Sequence, residues 1–185
     1  MAKKIFLFVA LILLSFLLYV YSQPSDFRIQ RSIVIKAPAE IVFSQLNDFH
    51  KWEAWSPWAK IDPQARNTFS GPDSGQGAIF SWSGNDEVGE GQMTIIESLP
   101  YSLIRIELLF SKPMVATNQT EFFLSPADGG ITLNWSMSGQ NSFICKVMCF
   151  FIDMDKMVGE QFEKGLQDIK AISETRSATI PPPLS

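Results

Sequence analysis

Histidine is almost missing from this chain: His50 stands alone among 185 residues. With no second histidine and no GxSxG turn, a Ser–His–Asp hydrolase pattern is absent, and His50 itself reads as a surface or capping residue. Cysteine is nearly as scarce. Cys145 and Cys149 in "CKVMC" lie four apart in a helix-patterned stretch. That spacing rarely reaches disulfide geometry, is not CxxC, and has no histidine nearby to complete a zinc set. They read as small apolar residues and leave the redox compartment open. Charge is low, at 18% of residues, and no basic block stands out among 15 Lys and Arg against 19 Asp and Glu. A nucleic-acid partner is therefore not expected, because such binding needs clustered cations. The glycine-rich "GPDSGQG" lacks the Lys-Ser/Thr ending of a phosphate loop and precedes a strand. Asp153 and Asp155 in "DMDK" point to different helix faces. Neither a metal nor a cofactor is expected.

Aromatics are abundant, at 12%, with fifteen Phe and five Trp. Three of those tryptophans, Trp52, Trp55 and Trp58, fall at a constant spacing of three in "KWEAWSPW". This spacing puts them on one side of a tight helical turn. Pro57 biases Ser56 out of the helix. The segment reads as a core plug or the lip of a cavity, with Trp55 the most buried and Trp58 nearest an entrance.

The N-terminus carries Lys3 and Lys4, then 17 residues from Ile5 to Tyr21 broken only by Ser15. That run lies between a signal-peptide core and a membrane span. No A-x-A-like cleavage site follows, and Tyr19 and Tyr21 suit an interfacial belt. The reading is an uncleaved, single-pass anchor over residues 1–25, with the N-terminus cytoplasmic and the rest exported. A cleaved signal, leaving a secreted or periplasmic protein, is the alternative. Arg28 and Arg31 weaken the charge asymmetry.

Beyond it, "DFRIQRSIVI" alternates, with Phe27, Ile29, Ile33 and Ile35 on one face, as a half-buried strand does. "AEIVFSQLNDF" has helical spacing after Pro38. From Ala78 to Ser138, short alternating runs separated by turns predict an antiparallel meander of five or six strands, with a tight hairpin at Gly84–Asp86 and a bulge near the glycines of "EVGEGQM". "NSFICKVMCFFIDMDKMVGEQFEKGLQDIKAISE" then predicts one helix of about 30 residues, capped by Asn141 or Ser142 and some 45 Å long. Gly159 and Gly165 inside it make sense where something packs close. Its apolar stretch Phe143–Met154 is too short to span a bilayer and is expected to be buried. "TIPPPLS" cannot continue a helix, so residues 176–185 are expected to form a disordered tail.

The order and the motifs "IKAPAEIVFSQLNDFHKWEAWSPW", "TFSGP", "SWSGN", "GEGQMTI", "ATNQTEFFL" and "FIDMDKMVGEQFEKGLQDIK" resemble the START-like, helix-grip superfamily (SRPBCC), and within it the bacterial polyketide cyclase/dehydrase and lipid-transport branch. The resemblance covers about Phe27 to Glu174. It implies an α+β helix-grip fold over residues 26–175: a curved antiparallel sheet wrapped around a long C-terminal helix. It also implies a hollow between them for a hydrophobic small molecule or lipid. The side chains expected there are Trp55, Trp58, Phe80, Trp82, Ile106, Leu108, Asn118, Thr120, Phe122, Trp135, Met154, Val158 and Phe162. Asn118 and Thr120 are the polar members a cyclase or dehydratase would use, though no catalytic constellation accompanies them. A protein-interaction module of the chaperone-activator kind is the third reading. The chain is expected to act as a monomer.

Overall fold

The computed structural model describes residues 1–179. Helix α1 spans Ala2–Ser22, and its 21 residues make it about 31 Å long at 1.5 Å per residue. It is long and apolar enough to cross a membrane. Its side chains are exposed on every side except at Phe16 and Val20.

Seven strands follow in one antiparallel sheet of order β1-β7-β6-β5-β4-β3-β2. They are β1 (Asp26–Ile35), β2 (Arg66–Ser70), β3 (Ile79–Ser83), β4 (Glu90–Leu99), β5 (Leu103–Lys112), β6 (Ala116–Ala127) and β7 (Gly130–Gln140). The six strands β2 to β7 form the meander, and β1 closes onto the last of them. Two register shifts bend β4, at Glu90/Gly91 and at Ile95/Glu97, as bulges do. The β3–β4 connection is longer than the expected tight turn. It runs from Gly84 to Gly89, where Asn85 Oδ1 accepts from the backbone N–H of Glu87 and Val88.

Between β1 and β2 lie α2 (Ala39–Leu46), a 3-10 turn at Phe49–Ala54 and α3 (Pro57–Ile61). At the end come α4 (Phe143–Cys149) and α5 (Met154–Thr179). The predicted single helix is thus two. Ser142 Oγ caps α4 by accepting from Cys145 N at 3.2 Å. The chain then leaves helical geometry, and Asp153 Oδ1 starts α5 by accepting from Lys156 N at 2.9 Å. A second capping residue inside an apolar stretch lets the helix restart in a new direction. The stretch expected to be buried is not: α4 holds no buried residue, and Phe151 is 75% exposed. At the other end α5 runs to Thr179, so the first residues of the expected tail are helical. Residues 180–185 lie outside the described residues.

α5 lies across β1 and β7, with α2 and α3 against it. Its buried side is Gly159, Phe162, Gly165, Leu166, Ile169 and Ser173, a helical period facing the core. Both ends are tied to β1. Arg31 shares the inward parity of Ile29 and Ile33, yet it is an ion-pair anchor. Its Nη2 donates to Asp155 Oδ2 and its Nε to Glu163 Oε1, each at 2.9 Å, and Nη2 also reaches the Asp155 carbonyl at 3.1 Å. Gly159 makes room: a Cβ there would run into the Arg31 guanidinium. Near the other end, Glu174 Oε1 accepts from Lys36 N at 2.8 Å and Lys170 Nζ donates to Val34 O.

Hydrogen bonds from Arg31 hold the Asp155 carboxyl below the ordinary aspartate value. A depressed carboxylate adds stability above its unfolded pKa, about 3.9, and that contribution is lost as pH falls through the lower folded value. The first turn of α5 is therefore expected to keep its amide protection from pH 7 down to about 4 and to lose it below. Hydrogen exchange at Met157 and Val158, read alongside the Asp155 carboxyl resonance, checks this. A midpoint above 4 for Asp155 would contradict it.

Candidate functional site

The tryptophan segment is built from the end of α2. A helix leaves its last carbonyls without partners, and here two indoles supply them. Trp52 Nε1 donates to Leu46 O at 3.0 Å and Trp55 Nε1 to Gln45 O at 3.2 Å. The rings are thereby carried onto the concave face of the sheet. Trp55 meets Phe122 and Trp135 edge to face, at 6.1 and 5.6 Å. Trp135 stacks flat on Phe162 of α5 at 4.2 Å. Trp58, at the start of α3, closes over Trp135 and Phe162. Pro57 opens α3 as its first residue, after Ser56 leaves helical geometry.

This aromatic plug fills the hollow at the α2–α3 end. Trp55, Ile106, Phe122, Trp135 and Phe162 are at most 2% exposed, and Thr120 is 5% exposed. In this structure these six are core rather than the lining of an open space. Within the plug, Trp135 Nε1 has no hydrogen-bond partner among the described residues.

The remaining expected residues lie toward the opposite end of the strands. Register places Phe69, Phe80, Met93, Leu108 and Asn118 side by side across β2 to β6, and continues through Gly139 to Phe27 of β1. The next row outward holds Trp82, Gly91 and Phe110. Trp82 stacks on Phe80 at 6.0 Å and meets Phe110 edge-on at 5.8 Å. Phe80, Trp82, Met93, Phe110 and Asn118 are half-buried, and Leu108 is 8% exposed. Met154 and Val158, also half-buried, belong to the first turns of α5, and Trp58 stays with the plug. This end of the concave face is thus a largely half-buried apolar strip, the trough, with one amide, Asn118, in it. Phe69, Met93 and Phe110 complete it. Phe69 was hidden in a strand, β2, too short and polar to show alternation. Met93 is one of the methionines whose soft side chains suit a lining, and Phe110 carried only the inward parity of its strand.

Two depressions bracket this region. One of about 520 Å³ sits mostly on the convex side, among Glu107, Gln119 and Ser138, and touches the trough row at Phe27, Asn118 and Gly139. The other, about 120 Å³, adjoins His50 and Phe69. Neither lies between the sheet and α5. His50 is exposed, stacks on Phe69 at 4.2 Å, and has Nδ1 3.0 Å from Asp48 Oδ1. Burial alone would raise the Asp48 carboxyl, but hydrogen bonds from the His50 ring and backbone outweigh it and hold it below its ordinary value. The pair caps the 3-10 turn. Cys145 and Cys149 are free and half-buried on α4, and burial pushes the Cys149 thiol up. Among the described residues no group of three His, Cys, Asp or Glu could hold a metal ion.

The same overall fold recurs in solved structures. A protein from Chromobacterium violaceum (CV1439) matches with TM-score 0.57 and 18% identity, over 82% of this chain and 99% of that one. The di-domain ARO/CYC StfQ from the steffimycin biosynthetic pathway matches with TM-score 0.59 and 11% identity, over 84% of this chain and 53% of that one. Aha1 from Colwellia psychrerythraea matches with TM-score 0.57 and 16% identity, over 80% and 96%. The chain has the helix-grip fold. At these identities the likeness establishes the fold alone. No family model and no curated sequence matches the chain. Within the helix-grip architecture, the plug occupies one end of the concave face and the trough the other.

Proposed function

We propose that this protein is a membrane-tethered helix-grip domain that holds a hydrophobic small molecule or lipid in its trough. The observation that carries the reading is the row Phe80–Met93–Leu108–Asn118, half-buried except at the buried Leu108, at the end of the sheet where α1 joins β1. Partly buried apolar rings and methionines around a single amide are the composition of a lipid or small-molecule site. In this reading α1 anchors the chain, Lys3 and Lys4 stay cytoplasmic, and residues 26–175 form the exported binding domain.

The alternative, a cyclase or dehydratase on the same surface, needs an acid or base in place. Among the described residues the row across the sheet offers only the Asn118 amide, and His50, at its edge on Phe69, is engaged with Asp48, so binding is favoured over turnover.

The test uses the full chain, recovered in nanodiscs after exposure to a lipid extract and examined by native mass spectrometry. Bound apolar ligand is expected on the native chain. Met93→Glu puts a carboxylate in the middle of the row and is expected to lower occupancy about tenfold or more, equivalent to about 1.4 kcal/mol. Equal ligand on the native chain and on Met93→Glu would defeat the trough reading.

A further inference from the structure

The apolar stretch that the fold leaves uncovered lies against α1. Phe143, Ile144, Met148, Phe150, Phe151 and Ile152 are each between 41% and 75% exposed. Water-facing clusters of this size are unusual on a soluble surface and mark an interface. What covers them follows from where they sit. Phe16 of α1 meets Phe150 edge-on at 5.1 Å and Phe151 at 6.3 Å, and Tyr19 meets Phe150 at 6.5 Å. Phe16 is six residues before Ser22, about 9 Å down the helix axis at 1.5 Å per residue. If α1 crosses a bilayer with Tyr19 and Tyr21 in its interfacial belt, Phe150 and Phe151 are already below the headgroups. From Phe143 to Ile152 the only charged residue is Lys146, and its Nζ is turned to the Gln23 carbonyl beside the end of α1. The stretch itself holds no carboxylate, and Asp153, which follows it, has Oδ1 turned to the Lys156 N–H at the start of α5. The tip of the β5–β6 hairpin adds Met114 and Val115, 40% and 87% exposed, at the same end of the sheet.

We infer that α4, the Phe150–Ile152 loop and the Met114–Val115 tip form a second membrane contact, seated in the boundary between headgroups and acyl chains beside α1. This deepens the tethered-binding reading and rests on α1 being inserted. An apolar helix face at that boundary binds by buried area rather than by charge. It also sets the domain down with the trough end of its sheet against the lipid surface. The ligand class this geometry favours is a lipid of the bilayer itself, taken up without crossing water.

Depth-dependent quenching on the full chain tests it. In a Cys145→Ser, Cys149→Ser background, single cysteines are introduced by Phe151→Cys, Val115→Cys, Leu11→Cys and Asp73→Cys and labelled with a small fluorophore. The protein is placed in phosphatidylcholine vesicles carrying acyl-chain bromines, or in unmodified vesicles with aqueous iodide. At positions 151 and 115 emission is expected to be lost to brominated lipid and spared by iodide. The site in the Gly71–Gly75 loop, at the far end of the sheet, is expected to behave the opposite way. Position 11 reports on α1 independently. Quenching there by lipid, with 151 and 115 open to iodide, overturns the second contact and leaves the anchor standing. Protection of 151 and 115 from both quenchers means that protein, a second copy or a partner, covers the face, and this too overturns it. No lipid quenching at position 11 removes the anchor and the inference together.

Discussion

Trp55→Ala is expected to destabilise the folded chain by about 3–5 kcal/mol, the range for removing a large aromatic from a core. Trp55 is wholly buried and packs against Trp52, Phe122 and Trp135. Its loss leaves a void the size of an indole between sheet and α2. It also strips the Gln45 carbonyl, at the end of α2, of its donor. Trp52 keeps its own bond to Leu46 O, so α2 does not unravel, but the neighbouring rings cannot collapse into the space without leaving the sheet. Thermal unfolding should fall by about 10 °C, since 1 kcal/mol moves a domain of this size by about 2–4 °C. A loss under about 1 kcal/mol would mean that the plug is loosely filled, and the ligand site would then extend into it.

The second large effect comes from adding volume. Gly165→Leu is expected to cost about 1–3 kcal/mol or more, the range for overpacking. A Cβ at Gly165 already stands 2.8 Å from Trp135 Cζ3 and 3.2 Å from Pro57 Cδ. Trp135 cannot yield, because Phe162 lies flat against it at 4.2 Å and Phe122 at 4.9 Å. The informative companion is Gly159→Ala, six residues earlier on the same helix. The obstacle there is the end of the flexible Arg31 side chain, whose partners Asp155 and Glu163 are largely solvent-exposed. Exposed pairs of this kind contribute little, and alanine regains about 1 kcal/mol of helix propensity, so the net change should be small. Parallel chemical denaturation of the two variants separates a glycine required by rigid aromatic packing from one that merely accommodates a side chain. Similar losses in both would show that the Arg31 contact is rigid.

Much of the architecture was legible because strand alternation is a local property. Ile29 and Ile35 of β1, and Leu133 and Trp135 of β7, face inward because a period of two leaves them no other choice once one face is covered. The same parity carried Arg31 inward without announcing it. A charged residue reads as outward until a partner across the fold is known, and Asp155 and Glu163 lie more than a hundred residues away. The glycines of α5 were a usable signal, since a helix keeps glycine at a cost only where another group comes close. The break between α4 and α5 was not legible. An apolar stretch such as "FICKVMCFF" satisfies helical spacing whether it is buried by a sheet or left bare, and Asp153 becomes a cap only once the chain has turned.

The sequence by itself determined the general order of elements apart from β2 and the α4–α5 break, the inward faces of the strands, the tryptophan segment as plug or lip and an apolar N-terminal helix. These follow from periodicity, capping chemistry and transfer free energy, which act over a few residues at a time. Only the tertiary structure decided which inward side chains became plug and which became trough. That division depends on how far α2, α3 and α5 reach across a bent sheet. It also decided that Phe150 and Phe151 meet Phe16, because a contact across more than a hundred residues is fixed by the packing of whole elements.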